Sequence, residues 1–235
     1  MKRVGVFGGS FDPVHNAHVA LARLALEQLQ LDEVRWIPVG QPWQKSRQLS
    51  DGADREAMVR LAISGEPRFV VDRSELRRRG VSYTLDTVRE LAAAEPGTEW
   101  VLILGQDQYA SLHTWRDWRE LVAMVTLAIA NRPDARPVAN DQIAKVPHHM
   151  VNLPMMDISS TEVRRRVADA RCERLRLPVA RSRGDDHALE ERRQVLGVED
   201  HDVLGLDVFQ SIDDGFLEFL DIFLGAAVLG HQVGA

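Results

Sequence analysis

One cysteine, Cys172, stands among 235 residues, so an internal disulfide and a multi-thiolate metal site are both excluded, which suits a reducing compartment. The chain also lacks any run of roughly eighteen apolar residues, and no membrane span is expected. After Met1-Lys2-Arg3 it enters a short apolar segment without the long apolar stretch and small-residue cleavage site of a secretion signal, so a cytoplasmic protein is expected. A basic excess is missing as well: 29 Lys and Arg stand against 35 Asp and Glu, for a net charge of -6. Residues 1–170 hold 22 basic and 22 acidic side chains while residues 171–235 hold 7 and 13, so the imbalance belongs to the tail and no nucleic-acid partner is expected. The Gly-x-Gly-x-x-Gly spacing of a dinucleotide oxidoreductase is absent too. What remains is a length sufficient for one α/β domain, with or without an appendage.

What is present begins at the N-terminus. Val4-Gly5-Val6-Phe7 reads as a buried first strand, Gly8-Gly9-Ser10-Phe11-Asp12-Pro13 as a turn, and the apolar-periodic run Val19 to Leu31 as a helix. Glycines at 8 and 9 let the backbone approach a ligand with no Cβ in the way. A helix start near Ala17 aims unpaired N–H groups and a positive dipole end at the same place, so an anion is expected there. A glycine pair before a helix is more often a plain turn. His15 and His18 shift that balance, because buried side by side they would need partners for four ring nitrogens, whereas an anion supplies acceptors.

Glu33 to Val39 reads as a second strand, and a strand, helix and strand within about thirty residues imply parallel pairing. The loop Gly40 to Ser46 follows at that strand's carboxyl end, where open α/β sheets bind ligands, so Trp43 and Lys45 are candidates for substrate contact as much as for an ordinary surface loop. A short helix over Asp54 to Ser64 and a third strand at Phe69-Val70-Val71 come next. Arg77-Arg78-Arg79 reads as a solvated turn, since three successive like charges prefer water. Ser82 to Thr87, with Leu85, Val88 and Leu91 behind it, has the form of a helix N-terminus.

Trp100 to Leu104 is continuously apolar, as befits a strand buried on both faces, and it ends in Gly105-Gln106-Asp107, where an acid could read a ribose hydroxyl. Val125 to Ala130 makes another strand, closed by Asn131-Arg132-Pro133, and Met150 to Leu153 the last; residues 133–147 between them read as loop or a short helix. His148 and His149, adjacent in a strand, point to opposite faces and cannot easily share an ion. In Ile158-Ser159-Ser160-Thr161-Glu162-Val163-Arg164, Ser159 and Glu162 fit a capping box. The same helix start could also grip a polyphosphate with dipole, hydroxyl and guanidinium donors.

These segments resemble the bacterial nicotinate mononucleotide adenylyltransferases of the nucleotidyltransferase superfamily. Gly8 to His18 is similar to the signature ending in His-x-Gly-His, with Ala17 where glycine usually stands, a methyl that would crowd the loop slightly. Asp72 to Thr87 resembles a second shared segment, Gly105-Gln106-Asp107 a Gly-x-Asp segment with Gln106 in place of a small residue, and Ile158 to Arg164 an Ile-Ser-Ser-Thr-x-x-Arg signature. The resemblance implies an α/β fold, a Rossmann-like doubly wound parallel sheet of five to six strands with flanking helices. It further implies transfer of the adenylyl group of ATP to nicotinate mononucleotide, yielding deamido-NAD and pyrophosphate, with Mg²⁺ bound mainly through the ATP phosphates. By resemblance His15, His18 and Arg164 are catalytic candidates. Gly8, Gly9, Ser10, Phe11, Gly105, Asp107, Ile158, Ser159 and Ser160 are ATP-binding candidates. Lys45, Tyr83, Thr84, Trp115 and Arg132 are candidates for the acceptor, with Trp115 stacking on the pyridine ring and Trp118 left to packing.

Two other readings stand beside this one. The acceptor could be nicotinamide mononucleotide or phosphopantetheine, or the chain could be a catalytically impaired nucleotide-binding module, its site distorted by Ala17 or by the tail. ATP and nicotinate mononucleotide are the expected partners, and a homo-oligomer is left open. The resemblance ends near Ala170, so residues 1–170 are expected to form the catalytic domain and residues 171–235 a diverged or non-native tail, or else a partner-binding extension. Truncation after Ala170 discriminates: loss of folding, or of activity without loss of ligand binding, counts against a dispensable tail.

Overall fold

A computed structural model describes residues 1–43, 48–131, 141–156 and 158–176. The chain divides into two units, Met1–Ser160 and Thr161–Ala235. The first is built on a six-stranded, wholly parallel sheet of strands β1 (Arg3–Gly9), β2 (Glu33–Pro38), β4 (Phe69–Val71), β6 (Glu99–Leu104), β7 (Thr126–Asn131) and β8 (His148–Asn152), in the order β4-β2-β1-β6-β7-β8. Two-residue strands β3 (Gln41–Pro42) and β5 (Val81–Ser82) form a separate parallel ladder that the sequence did not signal. Helices α1 (Asn16–Gln28), α2 (Gly52–Ile63), α3 (Ser74–Arg77), α4 (Thr84–Ala94), α5 (Gln106–Ala110), α6 (Trp118–Met124) and α7 (Asp141–Ala144) connect them. Helix α7 lies within the stretch 133–147 expected to be loop or a short helix.

The strand order reverses between β1 and β6. Connections from β1 run outward one way through β2 to β4, and those from β6 run the other way through β7 to β8. That reversal opens a crevice beyond the carboxyl ends of β1 and β6, the place where doubly wound sheets bind ligands. Gly9 ends β1 and Gly105 follows β6, so both predicted glycine segments arrive at this crevice. The central strands are apolar on both faces as expected: Val4, Val6, Val101, Leu102 and Ile103 are all at most 1 % exposed, as are Trp36 and Ile37 of β2.

Helix α1 starts at Asn16, three residues before the apolar periodicity becomes visible, and buries Ala17, Leu21, Ala22, Ala25 and Leu26. It stops in a Schellman arrangement: Gln30 takes a left-handed φ of 50°, its N–H bonds to Glu27 O, and the Leu31 N–H bonds to Leu26 O. Arg77 and Arg79 are exposed as a solvated turn requires, but Arg78 is not. Its guanidinium donates to Thr87 Oγ1 at 3.0 Å and to Glu90 Oε2 at 2.6 Å, because α4 presents both acceptors to it.

The second unit is described through helix α8 (Ser160–Arg176), whose first residue belongs to the unit before it. Glu162 accepts from Arg165 and Arg166, and Arg165 also reaches Asp169, so the first two turns carry an ion-pair ladder. The two arginines hold the Glu162 carboxyl down at about 2. Among the described residues no helix is long and apolar enough to cross a membrane.

Candidate functional site

The site begins where β1 runs out. A Cβ built on Gly8 would meet nothing within 4 Å, so the space in front of it is open, whereas one on Gly9 would lie 2.9 Å from the ring of Phe11. That ring needs the space because Phe11 takes a left-handed φ of 45° and turns its side chain inward, to 1 % exposure. Its ring centroid lies 5.6 Å from that of Phe7 and 5.3 Å from those of Trp36 and His18. Such edge and tilted contacts hold the turn from beneath. The Phe11 side chain, expected at ATP, is therefore core, and only its backbone remains for the ligand side.

His15 is the N-cap of α1 in extended conformation, and its backbone N–H donates to His18 Nδ1 at 3.2 Å. In a neutral ring this acceptance leaves the proton on Nε2, so His18 offers an outward donor of defined position. The two imidazoles stack with centroids 3.7 Å apart. Both line a cleft of roughly 350 Å³, within the usual range of small-molecule sites, together with Gly8, Gly9 and Ser10. Ala17 lines it too: the helix's first turn accommodates the methyl, which forms part of the wall.

The same cleft extends across β6 to the other predicted segments. Thr84 at the start of α4, Gly105 and Trp115 line it, as do Ile158 and Ser159. Trp115 follows a 3-10 turn at Leu112–Thr114 and also packs on the core, while Trp118 packs there without reaching the cleft. The Ser160 hydroxyl donates to Pro13 O at 2.9 Å, tying this segment to the opening turn and leaving the hydroxyl proton unavailable to a ligand.

Two other expected residues of the first unit, Tyr83 and Asp107, do not line the cleft. Tyr83 caps α4 beside it, its ring between Trp43 at 6.2 Å and the Arg116 guanidinium at 4.7 Å. Asp107 sits exposed in the first turn of α5. Arg164 lies in the second unit, where its Nη2 is 3.1 Å from Thr161 Oγ1. Lys45 and Arg132 lie outside the described residues. His148 and His149 diverge as expected: His148 Nδ1 sits 3.1 Å from the buried Tyr109 hydroxyl, and His149 is exposed.

Sequence reasoning missed Glu75, Gln108 and Pro42, which also line the cleft. Glu75 is the consequential one. It is 7 % exposed, accepts the Thr87 hydroxyl at 2.8 Å, and is approached by the Gly40 N–H and by Arg78. Burial pushes its carboxyl up from the ordinary 4.5, and these neighbours only partly offset that. A raised folded value means that the contribution of this group to stability is fully present below about 4.5 and is lost as pH rises through the folded value. Glu75→Gln keeps an acceptor for Thr87 and removes the titration. The stability of the wild type relative to Glu75→Gln, read by urea unfolding from pH 4 to 8, should accordingly fall as pH rises; a difference independent of pH would refute the assignment.

Residues 6–166 match the family model described as cytidylyltransferase-like. A probable nicotinate-nucleotide adenylyltransferase of Methylibium petroleiphilum is 48 % identical over 169 residues, covering 71 % of this chain and 80 % of that protein. One from Frankia casuarinae is 42 % identical over 161 residues, covering 68 % and 85 %. Among solved structures, the Plasmodium falciparum nicotinic acid mononucleotide adenylyltransferase complexed with NaAD is similar in fold, with a TM-score of 0.58 at 21 % identity over 71 % of this chain and 84 % of that one.

Proposed function

Since the chain belongs to the cytidylyltransferase-like family and, within it, to the nicotinate-nucleotide adenylyltransferases, we propose that it transfers the adenylyl group of ATP to nicotinate mononucleotide, forming deamido-NAD and pyrophosphate. It is an enzyme of NAD biosynthesis on this reading, and it acts on nucleotides. The observation that carries the proposal is a single cleft whose lining includes Gly8, Gly9, His15 and His18 together with Thr84 and Trp115. The candidates for the phosphate and for the acceptor thus share one space, which supports a transfer between two bound nucleotides.

A phosphate oxygen of the acceptor attacks the α-phosphorus of ATP, a new P–O bond forms, and the bond to pyrophosphate breaks. Neither acid nor nucleophile is needed from the protein, so alignment and charge stabilisation carry the rate. In this reading His18 donates from Nε2 to the α-phosphate as charge gathers there. His15 and the backbone N–H groups of Gly8, Gly9, Ser10 and Phe11 support it. Ser159 and the Ser160 N–H hold the departing pyrophosphate, a role the family resemblance also gives Arg164, with Ile158, Gly105 and Asp107 toward the adenosine. Thr84, Tyr83 and Trp115 hold the acceptor, joined by Lys45 and Arg132.

Among the described residues no group of three or more His, Cys, Asp or Glu side chains is arranged to hold an ion. We place Mg²⁺ with the ATP phosphates and their water, since this ion keeps several waters and is held mainly by substrate phosphates. We place the catalytic domain in residues 1–170 and treat residues 171–235 as a tail, in a cytoplasmic protein that needs no nucleic acid. The test is pyrophosphate release from ATP with nicotinate mononucleotide, nicotinamide mononucleotide and phosphopantetheine in turn. Turnover with the first and little with the others is expected; equal turnover with nicotinamide mononucleotide, or none with any acceptor, overturns the reading.

A further inference from the structure

Arg55, in the first turn of α2, is 2 % exposed and does not line the cleft, yet it bonds two residues that do, Ser10 and Val39. Its Nη1 donates to Ser10 O at 3.0 Å, its Nη2 to Val39 O at 2.8 Å and its Nε to Ser50 O at 3.0 Å. A buried guanidinium satisfied by three carbonyls is an unusual way to fill an interior, since desolvating the charge is unfavourable and none of these three partners is an anion. Asp12, itself 2 % exposed, and Asp51 offset part of that penalty from nearby.

Each carbonyl belongs to a planar peptide, so fixing the oxygen fixes the N–H on the other side of the same plane. Holding Ser10 O therefore sets the direction of the Phe11 N–H, in the turn where Phe11 is forced to a left-handed φ of 45°. Backbone strain of that kind persists only where the surroundings impose it. Holding Val39 O sets the Gly40 N–H, which meets the buried carboxylate of Glu75, so the Val39–Gly40 peptide is gripped from both faces. One side chain thus clamps the phosphate turn after β1 and the start of the loop that leads to Trp43.

We propose that Arg55 is a positioning residue for the transfer: its guanidinium holds the Ser10–Phe11 and Val39–Gly40 peptides at a constant separation, which aligns the ATP α-phosphate with the acceptor phosphate. This rests on the adenylyl-transfer reading of the cleft. Lysine can supply the charge at a single point but cannot reach three carbonyls with a planar fork. Misplacement on the scale of an ångström is associated with losses of about a hundredfold.

The experiment compares wild type, Arg55→Lys and Arg55→Ala by steady-state kinetics, thermal unfolding, and hydrogen exchange at the Phe11 and Gly40 amides. For Arg55→Lys, kcat should fall by about 10- to 100-fold with the KM of each substrate changed far less, in a protein that remains folded. Exchange at Phe11 and Gly40 should quicken relative to the β6 amides. Arg55→Ala should regain part of its kcat in dilute guanidinium chloride and not in urea at equal concentration. Wild-type kcat in Arg55→Lys, or a loss in both variants that follows the unfolded fraction with no response to guanidinium, overturns the proposal. A wild type that releases no pyrophosphate defeats the adenylyl-transfer reading instead, and the exchange rates still decide whether Arg55 clamps the two peptides.

Discussion

Replacing His18 with alanine is expected to slow adenylyl transfer by about a hundred- to a thousandfold, corresponding to roughly 2.7–4 kcal/mol of lost stabilisation where charge gathers at the α-phosphate. The expectation follows from orientation. His18 Nδ1 is occupied by the His15 backbone N–H at 3.2 Å, so the remaining nitrogen is a donor fixed at the cleft wall. Alanine also removes that cap, which by itself lowers stability by about 1 kcal/mol. His18→Asn separates the two effects, because its side-chain oxygen can take the His15 N–H while nothing reaches the Nε2 position. Asparagine should therefore match the wild type in thermal unfolding and match alanine in rate. Single-turnover measurements with ATP affinity in parallel decide it; a His18→Asn protein with near wild-type kcat would remove His18 from the chemistry.

The second large effect is expected at Gly40, which has no chemistry at all. A Cβ built there would lie 2.1 Å from the carbonyl oxygen of Glu75, deep inside contact distance and against backbone, which cannot rotate away. Either the end of β2 or helix α3 must move. Overpacking of this kind destabilises by about 3 kcal/mol, so Gly40→Ala should lower the unfolding midpoint by roughly 6–12 °C in a protein of this size. Because the displaced peptide carries the Val39 carbonyl that Arg55 holds, the surviving folded enzyme should also bind its acceptor more weakly. Calorimetry together with KM for nicotinate mononucleotide checks both parts, and an unchanged midpoint would mean that the two backbones do not meet as described.

The opening turn was legible because everything it needs is local. Two glycines, a turn and two histidines at a helix start lie within eleven residues, and the helix does begin at Asn16. The parallel sheet followed from the spacing of strand and helix, and the buried run Trp100 to Leu104 from its composition. Phe11 misled because a residue in a turn just past a glycine pair is usually open to solvent; its left-handed backbone, which residue type alone does not signal, points the ring inward. Arg78 misled in a related way. Three arginines in a row prefer water only until a neighbouring helix offers acceptors, and Thr87 and Glu90 are supplied by α4.

By itself, then, the sequence determined the local elements: a glycine-bearing turn running into helix α1, a helix start at Ser160, and the apolar strands of the sheet. These depend on contacts within a few residues, where residue type and spacing dictate geometry. Tertiary structure decided how the segments share one cleft and what holds them apart. Arg55 reaches Ser10, 45 positions back in the chain, and Thr87 reaches Glu75 from another helix. Such pairings leave no periodic trace, because they depend on strand order and on which peptide faces which buried charge. An arginine and a glutamate that belong to no sequence motif become interior struts beside the cleft, since only burial makes their charges expensive and their partners fixed.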